Sequence, residues 1–292
     1  MAMKNYFEGW YFKQQTEQNM LALIPACHAD SAGIRTGSIQ VITKDKSWFV
    51  DLPGDTLDSR RRPLSVRAGD NVFTLRGIDL NIQSNGLNAV GRLAFTGVTP
   101  IRGDIMGPFR FVPFMECRHS VFSMTHRVDG HVAINGETYD FNGGVGYTEG
   151  DRGRSFPKRY VWAQCCWFDG GPCSLMISAA DVTPLGREFI GVIGVVFLRG
   201  RELRLATYRG ARVVSVGGGS LIVRQGAYTL TARLFENGGQ PTDMQTLHAP
   251  QGGEMVRTIR ERLSCRARFT LTEKDDVLFD FETDQASFEY EF

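Results

Sequence analysis

The sequence predicts an all-β protein built as two tandem antiparallel β-barrels, with one short helix near the C-terminus. Three observations predict it. Glycine is abundant, 33 of 292 residues, and punctuates short runs rich in Phe, Val, Ile, Thr and Tyr. Asn-Gly or Asp-Gly pairs stand at Asp129-Gly130, Asn135-Gly136 and Asn237-Gly238, where both residues tolerate the positive φ of a two-residue hairpin turn. The C-terminal run alternates, with Val277, Phe279 and Phe281 on one side of a strand and Phe288, Tyr290 and Phe292 on one side of the next. Asp280, Glu282, Glu289 and Glu291 lie opposite them.

From the N-terminus, GWYFKQQTEQNMLALIPACHAD (9–30) reads as an aromatic strand, a polar turn and an apolar strand. SIQVITKDKSWFVDL (38–52) is a hairpin with Lys44-Asp45-Lys46 at its tip, and NVFTLRGIDLNIQSNGLNAVGRLAFTG (71–97) continues the strands. HVAING and ETYDFNG are short strands around Asn135-Gly136. The series then recurs: VWAQCCWFDGGPCSLMISAADV (161–182) resembles 9–30, and VIGVVFLRGRELRLATY (192–208), with the tip Arg199-Gly200-Arg201, resembles 38–52. GSLIVRQGAYTLTARLFENG (219–238) resembles 71–97. The offset holds at about 150 residues, so two similar β units in tandem are expected, over 1–115 and 116–292. Closing each into a barrel would remove its edges and enclose room for a small apolar ligand. Only GGEMVRTIRERL (252–263) has helical spacing, with Met255, Ile259 and Leu263 at i, i+4 and i+8.

The 33 basic and 32 acidic residues nearly cancel, so no strong field would recruit nucleic acid or an anionic membrane. The N-terminus lacks the apolar run of a secretory signal, and no apolar stretch is long enough for a transmembrane helix; a cytoplasmic location is expected. The six cysteines form no CxxC pair, and Cys165 and Cys166 point to opposite faces of any strand. Reduced thiols are therefore expected, and no metal site.

Two stretches concentrate chemistry. In YFEGWYF (6–12), Tyr6, Glu8, Trp10 and Phe12 share one strand face, and Phe7, Gly9, Tyr11 and Lys13 the other. A carboxyl among aromatic rings loses solvation and is favoured as the neutral acid, unless Lys13 or an arginine pairs with it. In YTEGDRGRSFPKRYVWAQCCWF (147–168), Glu149 and Asp151 fall on one face and Arg152 and Arg154 on the other, while Gly146, Gly150 and Gly153 suggest irregular backbone. Adjacent carboxyls can divide into an acid and a base, or can form a charged corner clamped by the arginines. Beyond them, Gln164 stands on the same parity as Trp162 and Cys166, suited to orient a hydroxyl in an apolar cavity. The five histidines show no compact metal-ligand spacing, and His119 has only Glu116 or Cys117 as near partners. There is no GxSxG elbow, Walker loop or dinucleotide fingerprint, so no cofactor is expected.

YFEGWYFK, MECRHSVFSMTH, INGETYDF, YTEGDRGRSFPKRYVWAQC and APQGGEM resemble, in order, blocks of the tocopherol cyclase family and its bacterial relatives. That family is similar to a wider group of two-domain lipocalin-like proteins that includes carotenoid hydratases. The resemblance implies two lipocalin-like barrels, a hydrophobic ligand, and cofactor-free ring closure in which a prenyl double bond is protonated and a phenolic oxygen captures the cation. On this resemblance Glu8, Glu149 and Asp151 are the candidate acids, Trp10, Tyr11, Trp162 and Trp167 the cavity walls, and Gln164 the orienting group. Where the family usually reads E-K-[DN]-W-G and ends the strand Q-C-N, this chain has Gly150, Arg152 and Cys166, which alters the polarity of the implied pocket.

Overall fold

A computed structural model describes residues 4–113, 115–166, 173–182, 188–235 and 244–292. The expected turn at Asn237-Gly238 and the cavity wall Trp167 lie outside the described residues. The described chain is almost wholly β, arranged as two large antiparallel sheets. The first contains β1 (Tyr6–Gln15), β2 (Met20–Ala29), β3 (Arg35–Thr43), β4 (Ser47–Pro53), β5 (Leu57–Arg61), β6 (Leu64–Ala68), β7 (Asn71–Thr74), β8 (Gly77–Ser84), β9 (Leu87–Thr96), β10 (Cys117–Ile134), β11 (Glu137–Asp140) and β12 (Gly144–Gly153). The second contains β13 (Tyr160–Cys165), β14 (Cys173–Val182), β15 (Phe189–Leu198), β16 (Arg201–Ala206), β17 (Arg212–Gly217), β18 (Ser220–Gln225), β19 (Tyr228–Leu234), β20 (Gln245–Gln251), β21 (Glu254–Glu273) and β22 (Asp276–Tyr290).

The strand order runs β4-β3-β2-β1-β12-β10-β9-β8-β7-β6-β5 in the first sheet, with β11 on β10. It runs β16-β15-β14-β13-β22-β21-β19-β18-β17 in the second, with β20 on β21. Each sheet is thus a four-stranded meander whose opening strand, β1 or β13, is joined to a strand from far along the chain. The pairing scheme repeats between the sheets.

The chain forms two compact units: Met1–Pro100, Cys117–Phe156 and Leu247–Thr258 make one, and Ile101–Glu116, Pro157–Thr246 and Ile259–Phe292 the other. A single division at 115/116 therefore does not describe the molecule. The reason is pairing: β1 and β9 find their partners in β12 and β10, which lie beyond residue 116.

The core of the first unit joins Trp10 and Phe12 on β1, Leu23 on β2, Val50 on β4 and Phe73 on β7, so strands from both ends of the path cover the same apolar interior. Each such side chain, removed from water, contributes roughly 2–3 kcal/mol. β1 is buried on both faces, since Phe7, Tyr11 and Lys13 are buried, as are Trp10 and Phe12. That explains why its sequence carries aromatics at both parities rather than alternating with polar residues. In the second unit the core takes Val161, Ala163 and Cys165 from β13 with Phe269 and Phe288. There the segment before β10 is clamped by Arg204, which is buried against Glu202 at 2.6 Å and donates to the carbonyls of Arg102 and Asp104.

Three local expectations are corrected. Residues 254–273 form strand β21, not a helix: a spacing of four satisfies the strand period as well as the helical one. In the strand Arg257 and Glu261 lie on the side of Met255 and Ile259, and Gly252 and Gly253, at φ 63° and 90°, make the turn that begins it. Asp129-Gly130 lies inside β10, where strand pairing to β9 continues through it, whereas Asn135-Gly136 does turn, with φ of 51° and 88°. The two C-terminal runs are one long strand, β22, irregularly paired with β21 where its facing parity changes. Among the described residues no helix is long and apolar enough to cross a membrane.

Candidate active site

The geometry of the site follows from the register of three adjacent strands. β12 is flanked by β1 on one side and β10 on the other. Its core-facing row is Gly146, Thr148, Gly150 and Arg152; the other row is Tyr147, Glu149 and Asp151. On that second face β10 places His119 across from Asp151 and Val121 across from Glu149. β1 places Gly9 across from Asp151, Tyr11 across from Glu149 and the fully buried Lys13 across from Tyr147.

The result is a histidine between two carboxylates. His119 Nδ1 is hydrogen-bonded to Asp151 Oδ1 at 3.0 Å. His119 Nε2 lies 3.1 Å from Glu149 Oε2, a charge contact without the alignment of a hydrogen bond. Tyr147 donates its hydroxyl to Glu149 Oε2 at 2.5 Å, and Cys117 donates its thiol to Asp151 Oδ1 at 3.4 Å. The His119 and Glu149 side chains retain 9% and 8% exposure, while Asp151 keeps 21%, so Asp151 is the wetter end of the cluster.

Burial alone would push His119 toward its neutral form. The charges of Glu149 and Asp151 outweigh that, and the imidazole is held protonated well above its ordinary range. The protonated imidazole thus stands between two carboxyl groups, on the face that also carries Lys13. The cluster's ligand atoms lie within 4.8 Å of one another, but each ring nitrogen already faces a carboxylate, so the protonated ring satisfies the donor set that a metal ion would otherwise need to fill.

The other candidate acid belongs to a different environment. Glu8 lies on the core-facing side of β1, where Arg61 Nη1 donates to Glu8 Oε1 at 2.7 Å and Tyr6 donates to Glu8 Oε2 at 3.1 Å. Arg61 also donates to Ser120 Oγ at 2.7 Å and stands over the Phe122 ring at 5.8 Å. Arg152 is directly across from Glu8 in register, not beside Glu149. Glu8 is thus an arginine-paired carboxylate, the second of the two alternatives open from sequence.

Of the remaining residues, Tyr11 shares the face of Glu149, whereas Trp10 points into the core. Trp162 and Gln164 belong to the second unit, on the face of β13 away from Val161, Ala163 and Cys165; both are buried, as is Cys166 just past the strand. β12 is regular along β1 but pairs with β10 through register shifts between Val121 and Ser123 and between Ser123 and His126, so the irregularity lies on its β10 side, and its glycines also permit close contact. A Cβ at Gly150 would sit 3.1 Å from Trp10 Cδ1 and 3.2 Å from Phe122 Cε2. The end of the stretch is pinned by another block of the sequence: Gly253 donates to the Arg154 carbonyl, Gly252 to Ser155 Oγ, and Phe156 to the Pro250 carbonyl. The SFP and APQGG blocks are therefore neighbours in space.

Fold and site together define an all-β, two-sheet protein with a histidine–carboxylate cluster buried on the central strands of its first sheet. Residues 96–290 match the tocopherol cyclase-like family, and the chain belongs to that family. No curated protein matches it by sequence. Solved structures share the fold over 98% of the chain. CghA, solved alone and with Sch210972, is 10% identical with a TM-score of 0.60 over 88% of its length. A candidate AttH from Nitrosomonas europaea is 10% identical with a TM-score of 0.56 over 92% of its length. Kievitone hydratase from Nectria haematococca is 9% identical with a TM-score of 0.53 over 88% of its length.

Proposed function

We propose that the chain acts on an apolar, unsaturated small molecule by proton-promoted addition across a carbon–carbon double bond, in the intramolecular, ring-closing sense. The observation that carries this reading is the buried His119–Glu149–Asp151 cluster on a face that also bears Tyr11, Lys13 and Tyr147. Family membership and the hydratase among the structural neighbours support the reaction type, because hydration and cyclisation of an alkene both begin with protonation. In the ring-closing case a proton adds to one alkene carbon, a tertiary cation forms, a substrate hydroxyl captures it, and the hydroxyl proton leaves. The product is an isomer of the substrate.

In this reading the imidazolium stores the proton, and the carboxylates stabilise the developing cation and take back the proton released by the hydroxyl. Aromatic faces such as Tyr11 add cation–π stabilisation, and a dry site raises the worth of each charge. Trp162, Gln164, Cys166 and Trp167 are proposed instead to contact an apolar ligand within the second unit, and each sheet is proposed to close as a lipocalin-like barrel. Incubation with a prenylated hydroquinone in deuterated buffer tests the assignment. The expected product is an isomer of the substrate in which one hydrogen is replaced by a carbon-bound deuterium, and it is lost in His119→Gln, Glu149→Gln and Asp151→Asn while circular dichroism is unchanged. Undiminished turnover in all three variants would sink it.

A second reading, a non-catalytic carrier of a hydrophobic ligand, is favoured by the clamping of both His119 nitrogens, since a strongly stabilised imidazolium is a reluctant acid. It expects saturable binding of the same hydroquinone and its recovery unchanged.

A further inference from the structure

The opposite, core-facing side of the same three strands carries a second polar group that the proposed chemistry does not use. Gln14 on β1 lies across from Gly146 on β12, which lies across from His126 on β10. Thr148 is the next residue along this face of β12. All three polar side chains are buried, with 0%, 2% and 0% exposure for Gln14, His126 and Thr148. Yet Gln14 Nε2, Gln14 Oε1, His126 Nε2 and Thr148 Oγ1 have no hydrogen-bond partner among the described residues. An unpaired buried polar atom is costly, and native interiors contain few of them. Four such atoms on neighbouring positions of three strands mark a place built to hold something.

The hydrogen-bonding sense of the place can be read from Ser123. Its Oγ lies 2.9 Å from the Thr125 carbonyl, a contact that requires the hydroxyl proton between the two oxygens. That proton is its only one, so Ser123 Oγ must accept from His126 Nδ1 at 3.1 Å. His126 is therefore the Nδ1–H tautomer, and Nε2 presents a bare lone pair. Burial keeps the ring neutral, lowering its pKa to about 3. The ring lies over Gly146, where a Cβ would come within 2.2 Å of Nε2, and this brings the lone pair to the strand next to Gln14. Around it the interior is apolar: Phe95 packs on the imidazole at 4.3 Å between centroids, and Phe12 against Phe73 at 5.6 Å.

We propose that the interior of the first sheet is a ligand site for a neutral, mainly apolar molecule bearing a hydroxyl or phenol group, whose O–H donates to His126 Nε2 and whose oxygen accepts from Gln14 Nε2. Thr148 Oγ1 supplies a further contact. A charged ligand is disfavoured, because Glu8, Arg61 and Arg152 cluster at the other end of this face and nothing charged stands in the Gln14 row. The site is independent of the chemistry proposed for the His119 face, and a chain with no turnover of hydroquinone is still expected to bind here.

Two probes of nearly the same shape, 2-naphthol and 2-methylnaphthalene, test it on the full chain. Fluorescence titration is expected to give at least a tenfold preference for 2-naphthol, falling to less than twofold in His126→Phe and in Gln14→Leu. Nitrogen-15 spectra of the wild-type protein require no variant to fold: the unprotonated nitrogen of His126 is expected to shift upfield on saturation with 2-naphthol. Equal affinity for the two probes, or a His126 nitrogen that contacts only exchangeable water and does not move with naphthol, overturns the proposal.

Discussion

Removing His119 should cost far more than removing one of its partners, and removing a partner as well should restore stability. At an effective dielectric of about 20, unit charges separated by the 3.0 and 3.1 Å of the two imidazole contacts attract by about 5 kcal/mol each. The two carboxylate oxygens, no more than 4.8 Å apart, repel by about 3 kcal/mol on the same scale. His119→Gln removes both attractions and leaves the repulsion, and after solvation of the ring is regained the loss should settle at about 3–5 kcal/mol. Glu149→Gln removes one attraction together with the repulsion, a net loss of about 2 kcal/mol. In the double variant the repulsion is gone, so it should be more stable than His119→Gln alone by about 3 kcal/mol. Native-state hydrogen exchange at neutral pH, read on the amides of β1, β10 and β12, measures these differences strand by strand. Losses that simply add in the double variant would refute the charge arrangement.

The buried histidines should give the stability curve two limbs of opposite sign. His28, hydrogen-bonded to Thr36 and Ser38, is lowered by burial from 6.5 to about 4, so its contribution is complete above 6.5 and is lost as pH falls toward 4, by about 3 kcal/mol. His119 is raised, so its contribution is complete below about 6.5 and disappears as pH rises through its elevated value; urea melts of His28→Asn and His119→Gln should each lose one limb. Gly253→Ala should lower the melting temperature sharply, because a Cβ would stand 2.2 Å from the Ala29 carbonyl, while Gly86→Ala, with open space around it, should cost no more than about 1–2 kcal/mol. Arg204→Met should destabilise the second unit by about 3–5 kcal/mol, by stranding Glu202, and should expose residues 101–116 to limited proteolysis.

The β class was legible because strand alternation and turn chemistry are local. The tips at Lys44–Lys46, Asn135-Gly136 and Arg199-Gly200 fall between strands as their residue types require. Asp129-Gly130 misled because a glycine at φ 126° also serves where strands approach closely: a Cβ there would lie 2.2 Å from the Arg92 carbonyl. The pairing of Glu149 and Asp151 on one face was legible for the same local reason. The cation that joins them was not, because only the β10–β12 register brings His119, and Cys117 with it, to Asp151. Arg61 was equally hidden. Nothing within the run Arg60-Arg61-Arg62 says which guanidinium will turn toward Glu8, and that depends on how the sheet folds over its core.

The strand order bears on how the protein can be made. β1 waits for β12 before both its edges are paired, β13 waits for β22 at the end of the chain, and the first unit includes Leu247–Thr258. Neither unit is therefore complete while most of the other is still unsynthesised. During translation β1 and β13 would each present an apolar, half-paired edge for the length of time needed to add over a hundred residues. Production of this chain should consequently depend on chaperone supply and slow translation more than its balanced charge would suggest, and cutting it between the sheets should yield two insoluble pieces rather than two domains.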